Sequence, residues 1–276
     1  MSFRLLALDI DGTLLRSDKA ISPRTRRAVD AARERGIRLV LATGRRYPSA
    51  RKVAEDLGGD VPLVLHNGAL VVEGGTIVRC VLLPADTALA ALACGRATGR
   101  HGVLHCGGAG EGRLLVEEAA LASRLVGYYL ERSRRDVQVV EDLEEAARRE
   151  DVIQVMYGGP REEMDDFFPD LSRALGGAAR IERTVYADGG VAILDVLAGG
   201  VGKAEALAFV RARWGITAAE TLAIGDNWND HEMLEQAGLG LVMGNADPEL
   251  RRSGLPVLPT NDEDGVAVAI EAHLLG

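Results

Sequence analysis

Lysine is nearly missing from this chain. Of its 32 basic residues only Lys19, Lys52 and Lys203 are lysine; the other 29 are arginine. Arginine richness by itself reads as genome composition or a preference for stability, but it singles out each remaining lysine. Cysteine is almost as scarce. Cys80, Cys94 and Cys106 are odd in number and widely spaced, with no CxxC, so neither a disulfide framework nor a zinc knuckle is indicated. A reduced, cytoplasmic setting is the expectation. The run after the N-terminus is interrupted by Asp9 and Asp11, too early for a secretory signal. No stretch approaches the ~18 apolar residues of a membrane span. Nor is there a repeat of ~20–50 residues or a low-complexity tract.

What is present fits a folded enzyme-sized chain. The 276 residues suit one large domain or two modest ones, and 47% hydrophobic with 26% charged residues excludes long disorder. Acids outnumber bases 41 to 32, for a net charge of −9. That excludes a general nucleic-acid or membrane-surface binder, since both demand a basic face.

The two ends of the chain share one style. Residues 3–8 form a short apolar run that stops at Asp9-Ile10-Asp11-Gly12-Thr13. Ser22-Pro23 reads as an N-cap with proline at N1, and Gly36 closes the helix that follows. Residues 37–42 and 62–65 are further apolar runs, ending at Thr43-Gly44-Arg45 and His66-Asn67-Gly68. Later, 204–213 reads as a helix, 222–224 as a strand ending at Gly225-Asp226, and 230–237 as a helix. Residues 239–243 and 256–258 read as strands. Near-continuous apolar strands alternating with helices predict a doubly wound α/β core with a parallel sheet.

The middle differs. Residues 70–83, broken at Gly74-Gly75, read as a hairpin. A helix, a strand, a glycine-rich turn at 107–112 and another strand follow. Then come charged helices, a run at 152–157 and a helix. Residues 185–196, broken at 188–190, read as a second hairpin. The expectation is an α+β domain inserted into the core: 1–83 core, 84–185 insert, 186–276 core, the second hairpin straddling the later boundary.

Open parallel sheets carry their working residues at the strands' C-terminal ends. Asp9 with Asp11, Thr43-Gly44-Arg45, Asn67 and Asp226 with Asn229 and Asp230 all fall there, and Lys203 opens a helix. Singly, each has a plainer reading: an acidic turn, a capping threonine, a solvated lysine, a helix-capping aspartate, a turn asparagine. Two decoys fail. Gly202-Lys203 is no P-loop, because Leu197 stands where glycine is required and Ala204 where Ser or Thr is. His101, His105 and Cys106 lack a fourth ligand.

Together these pieces resemble the haloacid dehalogenase superfamily, and within it the Cof-type or IIB branch, whose α/β cap is large. Asp9-Ile10-Asp11-Gly12-Thr13 matches DxDGT, Thr43 the second motif, Lys203 the family's lysine, and residues 225–233 match GDxxNDxxM. Residues 237–240, 243–246 and 261–266 are also of the branch's kind. The cap matches only in position, length and coarse pattern. Residues 197–203 depart from the branch's usual approach to the lysine and lack an extra basic side chain, and Asp195 stands where relatives often carry Glu. These departures bear on substrate contacts.

The resemblance implies a Mg²⁺-dependent phosphatase of small phosphomonoesters such as sugar phosphates, working through an aspartyl-phosphate. Asp9 would be the nucleophile and Asp11 the general acid and base. Asp9, Asp226 and the Asp11 backbone carbonyl would hold Mg²⁺, leaving the Asp11 side chain free. Thr43, Gly44 and Lys203 would hold the phosphoryl group, Asn229 would contact phosphate or metal-bound water, Arg45 and Asn67 would touch substrate, and Asp230 would orient Lys203 or the metal's second shell. The chemistry is coherent: an anion attacking an anion needs a cation between them. The cap is expected to close over the substrate. A phosphomutase of the phosphomannomutase type and a non-enzymatic metabolite binder are the other readings. Oligomeric state is not legible.

Overall fold

A computed structural model of the chain describes residues 3–107, 112–121, 134–186 and 190–276. The chain divides into two compact units. The first comprises Met1–Arg45, Ser49–Val78 and Gly202–Gly276; the second comprises Arg46–Pro48 and Arg79–Val201.

The first unit is built on a seven-stranded sheet. Its strands are β1 (Leu5–Leu8), β2 (Arg38–Ala42), β3 (Leu63–Leu65), β4 (Leu70–Glu73), β5 (Thr76–Cys80), β12 (Thr221–Gly225) and β13 (Leu239–Val242), in the order β13-β12-β1-β2-β3-β4-β5. The first five in that order are parallel, and β4 runs antiparallel to β3. β1 and β12 are buried along their whole length, as expected of strands covered on both faces. The helix Pro23–Glu34 connects β1 to β2. The Ser22 hydroxyl accepts from the Thr25 amide at 3.0 Å, and proline opens the first turn. From β1 the chain steps outward to β2 and β3 on one side, and its later part adds β12 and β13 on the other. The order therefore reverses between β1 and β12, and their carboxyl ends flank the crevice where open sheets bind ligands.

The second unit holds a six-stranded sheet of β6 (Val103–Cys106), β7 (Arg113–Val116), β8 (Val137–Val139), β9 (Val152–Pro160), β10 (Ala179–Tyr186) and β11 (Val191–Ala198), ordered β10-β11-β9-β6-β7-β8. Only β7–β8 among these neighbours is parallel. The helices Ala85–Ala97, Leu143–Arg149 and Arg161–Leu175 share one core with it, centred on Leu92, Leu104, Val155, Phe167 and Leu194.

Three differences from the sequence reading stand out. β11, which falls in the expected second core segment, pairs with β9 and β10 in the six-stranded sheet. The hairpin begins earlier than expected, because β10 starts at Ala179. Residues 188 and 189 of its break, like most of the 107–112 turn, lie outside the described residues. Residues 256–258 do not form a strand; they contribute a single bridge from Val257 to Val242. Pro256 and Pro259 bracket the segment, so it lacks the amide donors a longer ladder needs. Among the described residues no helix is long and apolar enough to cross a membrane.

Candidate active site

Every site residue expected from the sequence lies in the first unit. Asp9 follows β1 and is 5% exposed; Asp226 follows β12 and is 9% exposed; Lys203 opens the helix Lys203–Trp214 and is 1% exposed. The Lys203 ammonium donates to Asp9 Oδ1 and to Asp230 Oδ1, each at 2.7 Å. A buried lysine between two carboxylates is the pairing that makes burial of all three tolerable.

The carboxylates are not equivalent. Asp230 spends its second oxygen on the amides of Asp226 and Asn227, both at 3.1 Å. Asp226 Oδ1 accepts from the Thr13 hydroxyl at 2.8 Å. Among the described residues nothing donates to Asp9 Oδ2 or Asp226 Oδ2. Three carboxylates against one ammonium leave a buried excess of negative charge. Burial accordingly pushes the Asp9 carboxyl up to about 7, against the pull of Lys203 and helped by the charge of Asp230. Burial, then the charges of Asp9 and Asp230, lift Asp226 well above the usual carboxylate range. Lys203 moves up as well: burial alone would lower it, but the two aspartates outweigh burial.

One oxygen from each of Asp9, Asp226 and Asp230 lies within 4.8 Å of the others. The donor set is hard oxygen with a net negative charge, and two of its oxygens carry no proton donor. These residues fit a small divalent cation such as Mg²⁺, and the two uncommitted oxygens are those through which Asp9 and Asp226 would bind it. Gly12 leaves the room: a Cβ there would come 2.3 Å from Asp226 Oδ2.

The loop after β2 and the loop after β3 are stitched together. The Asn67 amide donates to the Thr43 carbonyl at 3.1 Å and the His66 amide to the Arg45 carbonyl at 3.2 Å. The Thr43 hydroxyl accepts from the Arg45 amide at 3.1 Å. Gly44 sits against Asn67, whose Oδ1 would be 3.0 Å from a Cβ at that position. Asn67 holds φ +52, a left-handed conformation asparagine tolerates, and accepts from Asn229 Nδ2 at 2.9 Å. Thr43, Gly44, Asn67 and Asn229 thus form one wall.

The Asp11 side chain, expected to stay clear of the metal, is held by an arginine. Arg45 grips it with both arms of its guanidinium, Nε to Oδ2 at 2.6 Å and Nη2 to Oδ1 at 2.7 Å. Burial alone would raise this carboxyl; the Arg45 hydrogen bonds and charge, with Lys19 and Lys203, outweigh it and hold it below the usual range. Arg45, expected to touch substrate, is here committed to Asp11.

Over residues 6–270 the sequence matches the family model of haloacid dehalogenase-like hydrolases. The chain belongs to the haloacid dehalogenase-like hydrolase family. An HMP-PP phosphatase of Serratia proteamaculans is 33% identical over 93% of this chain and 89% of its own length. The pyridoxal phosphate phosphatase YbhA of Escherichia coli is 26% identical over the full length of both. The structure of the subclass IIB sugar phosphatase BT4131 matches with a TM-score of 0.77 at 25% identity, covering 98% of each chain.

The branch motifs near the C-terminus also find a physical role. Asn245 donates to the Gly12 carbonyl at 2.8 Å and accepts from the Asn261 amide at 2.9 Å, while Asn261 donates to the Leu15 carbonyl at 2.8 Å. These two asparagines brace the turn that carries Asp9 and Asp11. Both sit in segments that the resemblance marks without giving them a role. Thr13, the last residue of DxDGT, is likewise legible as motif and not as the clamp on Asp226.

Proposed function

We propose that the chain hydrolyses small soluble phosphomonoesters through an aspartyl-phosphate on Asp9. The observation that carries this reading is the state of Asp9: one oxygen held by Lys203, the other without a donor among the described residues, at the crevice of a parallel sheet. Asp9 attacks phosphorus, the bond from phosphorus to the ester oxygen breaks, and Asp11 gives that oxygen a proton. Asp11 then takes a proton from water as the water attacks phosphorus, and inorganic phosphate leaves with Asp9 restored. Asp9, Asp226 and the Asp11 carbonyl would hold Mg²⁺, which would supply positive charge between nucleophile and phosphate. Lys203, Thr43, the Gly44 amide and Asn229 hold the phosphoryl oxygens, and Asp230 orients Lys203. For Asp11 to act as an acid its grip by Arg45 must loosen when substrate arrives.

The second unit is the cap in this reading. Relatives named for pyridoxal phosphate and HMP-PP, and a sugar phosphatase neighbour, support a small metabolite as substrate. Three unpaired cysteines support a reducing cytoplasm as its setting.

The test is phosphate release from a broad panel of phosphate esters with Mg²⁺ present. Asp9→Asn keeps an acceptor for Lys203 and should fold normally, yet lose activity by ~10³-fold or more. Full activity in that variant, or undiminished turnover in excess chelator, would overturn the mechanism. Accumulation of inorganic phosphate, rather than a sugar phosphate isomer, separates hydrolysis from a mutase.

A further inference from the structure

Lys19 is one of three lysines in the chain, and the chemistry above does not use it. Its backbone is unusual: φ is +65, a left-handed conformation that favours glycine and is uncommon for a long side chain. The turn is fixed rather than loose. Lys19 donates its amide to the Arg16 carbonyl at 2.9 Å, the Arg16 amide donates to the Ala20 carbonyl at 3.0 Å, and the Ala20 amide to Asp18 Oδ1 at 3.0 Å. Ser17 anchors it to Asp262 through its amide at 2.9 Å and its hydroxyl at 2.7 Å. This conformation delivers the Lys19 ammonium to 3.9 Å from Asp11 Oδ1, with 60% of the side chain still exposed.

At 3.9 Å the ammonium feels Asp11 electrostatically without spending a hydrogen bond on it. Asp11 is in any case already occupied on both oxygens by Arg45. Two cations therefore face one carboxylate, and Lys19 is the more exposed of the two. An observed backbone outlier that aims a charge is grounds for a functional hypothesis. In the phosphatase reading Asp11 protonates the leaving oxygen, so the alcohol portion of the substrate emerges beside Lys19.

We propose that Lys19 recognises a second anionic group on the leaving alcohol, which makes phosphomonoesters that also carry a carboxylate or a second phosphate the preferred substrate class. This rests on the phosphatase reading and on Asp11 as its acid.

The experiment compares kcat/KM within matched pairs: 3-phosphoglycerate against glycerol 3-phosphate for the carboxylate, and fructose 1,6-bisphosphate against fructose 6-phosphate for the second phosphate. Wild type, Lys19→Arg, Lys19→Gln and Lys19→Gly are measured on each. The anion-to-neutral ratio should fall about twofold to fivefold in Lys19→Gln and Lys19→Gly, mostly through KM, and be largely kept in Lys19→Arg. The wild-type preference should shrink as salt rises from about 0.02 to about 0.5 M. Lys19→Gly relieves the left-handed backbone, so its thermal stability should equal or exceed wild type. A purely structural lysine would then show no change in the ratio. Equal ratios in all four proteins, with turnover intact, overturn this inference alone. Absence of phosphate release from every ester by wild type overturns the phosphatase reading and this inference with it.

Discussion

Lys203 carries its charge at 1% exposure, with Asp9 and Asp230 as its partners at 2.7 Å. Removing one member of such a group is costlier than never having built it, because the survivors stay buried without a counter-charge. Lys203→Met leaves two carboxylates facing each other beside Asp226. We expect a loss of ~3–5 kcal/mol in unfolding free energy by denaturant titration, together with loss of activity. Lys203→Met/Asp230→Asn removes one of the stranded charges. It should recover part of the stability and none of the activity. If the double variant is as unstable as the single one, charge is not the cause and the lysine's volume is. The arginine bias sharpens the point: a guanidinium is larger and planar, whereas this slot takes a compact point charge.

At the scale of elements, the site depends on loops meeting closely enough for backbone to touch backbone. Gly68 has φ +106, and a Cβ there would lie 2.1 Å from the Gly202 carbonyl oxygen. That carbonyl belongs to the residue before Lys203, so Gly68 sets how near the lysine's helix comes to the β3 loop. Gly68→Ala should cost ~2 kcal/mol or more and lower kcat by displacing Lys203. Gly74, at φ +54 with open space for 4 Å around the place a Cβ would take, is the control. Gly74→Ala should cost only ~1 kcal/mol and leave turnover unchanged; equal losses of activity in both would remove the packing argument. The contrast also shows what a sequence can disclose. Strands β1, β2, β3 and β12 are readable because burial on both faces leaves uninterrupted apolar runs, and their ends locate the polar residues that the fold brings together. β10 begins earlier than expected because its residues, Ala-Arg-Ile-Glu-Arg-Thr-Val-Tyr, are half charged or polar and carry no such run. The Arg45 fork on Asp11 is invisible in sequence because it spans 34 positions and depends on side-chain direction. Asn245 and Asn261 are visible as motif but not as braces, since their partners are backbone carbonyls that a motif does not name.

For the whole molecule, the net charge of −9 matters less than where the acids titrate. Most of the displaced acids move down: Asp142, Asp262, Glu220, Glu263 and Glu271 are held below their ordinary values by hydrogen bonds, and all but Glu263 by arginines as well. Each adds stability above its unfolded pKa and loses it as pH falls through the folded value, so their effect is confined to acid below about pH 5. Asp9 and Asp226 run the other way. Between the ordinary 3.8 and about 7, the folded chain without metal keeps a proton on Asp9 that the unfolded chain has released. Stability in chelator should therefore fall as pH rises through that window. A bound cation reverses the balance, because its ligands must be ionised. Mg²⁺ should bind more tightly as pH rises toward about 7 and should release protons as it binds. Scanning calorimetry at several pH values, with chelator and with excess Mg²⁺, measures both curves. The gap between the two melting temperatures should widen from pH 5 to 8, and Asp9→Asn should flatten the chelator curve. A chelator curve that climbs between pH 5 and 7, or a gap independent of pH, would mean that the buried acids at the head of this sheet do not form the cation site.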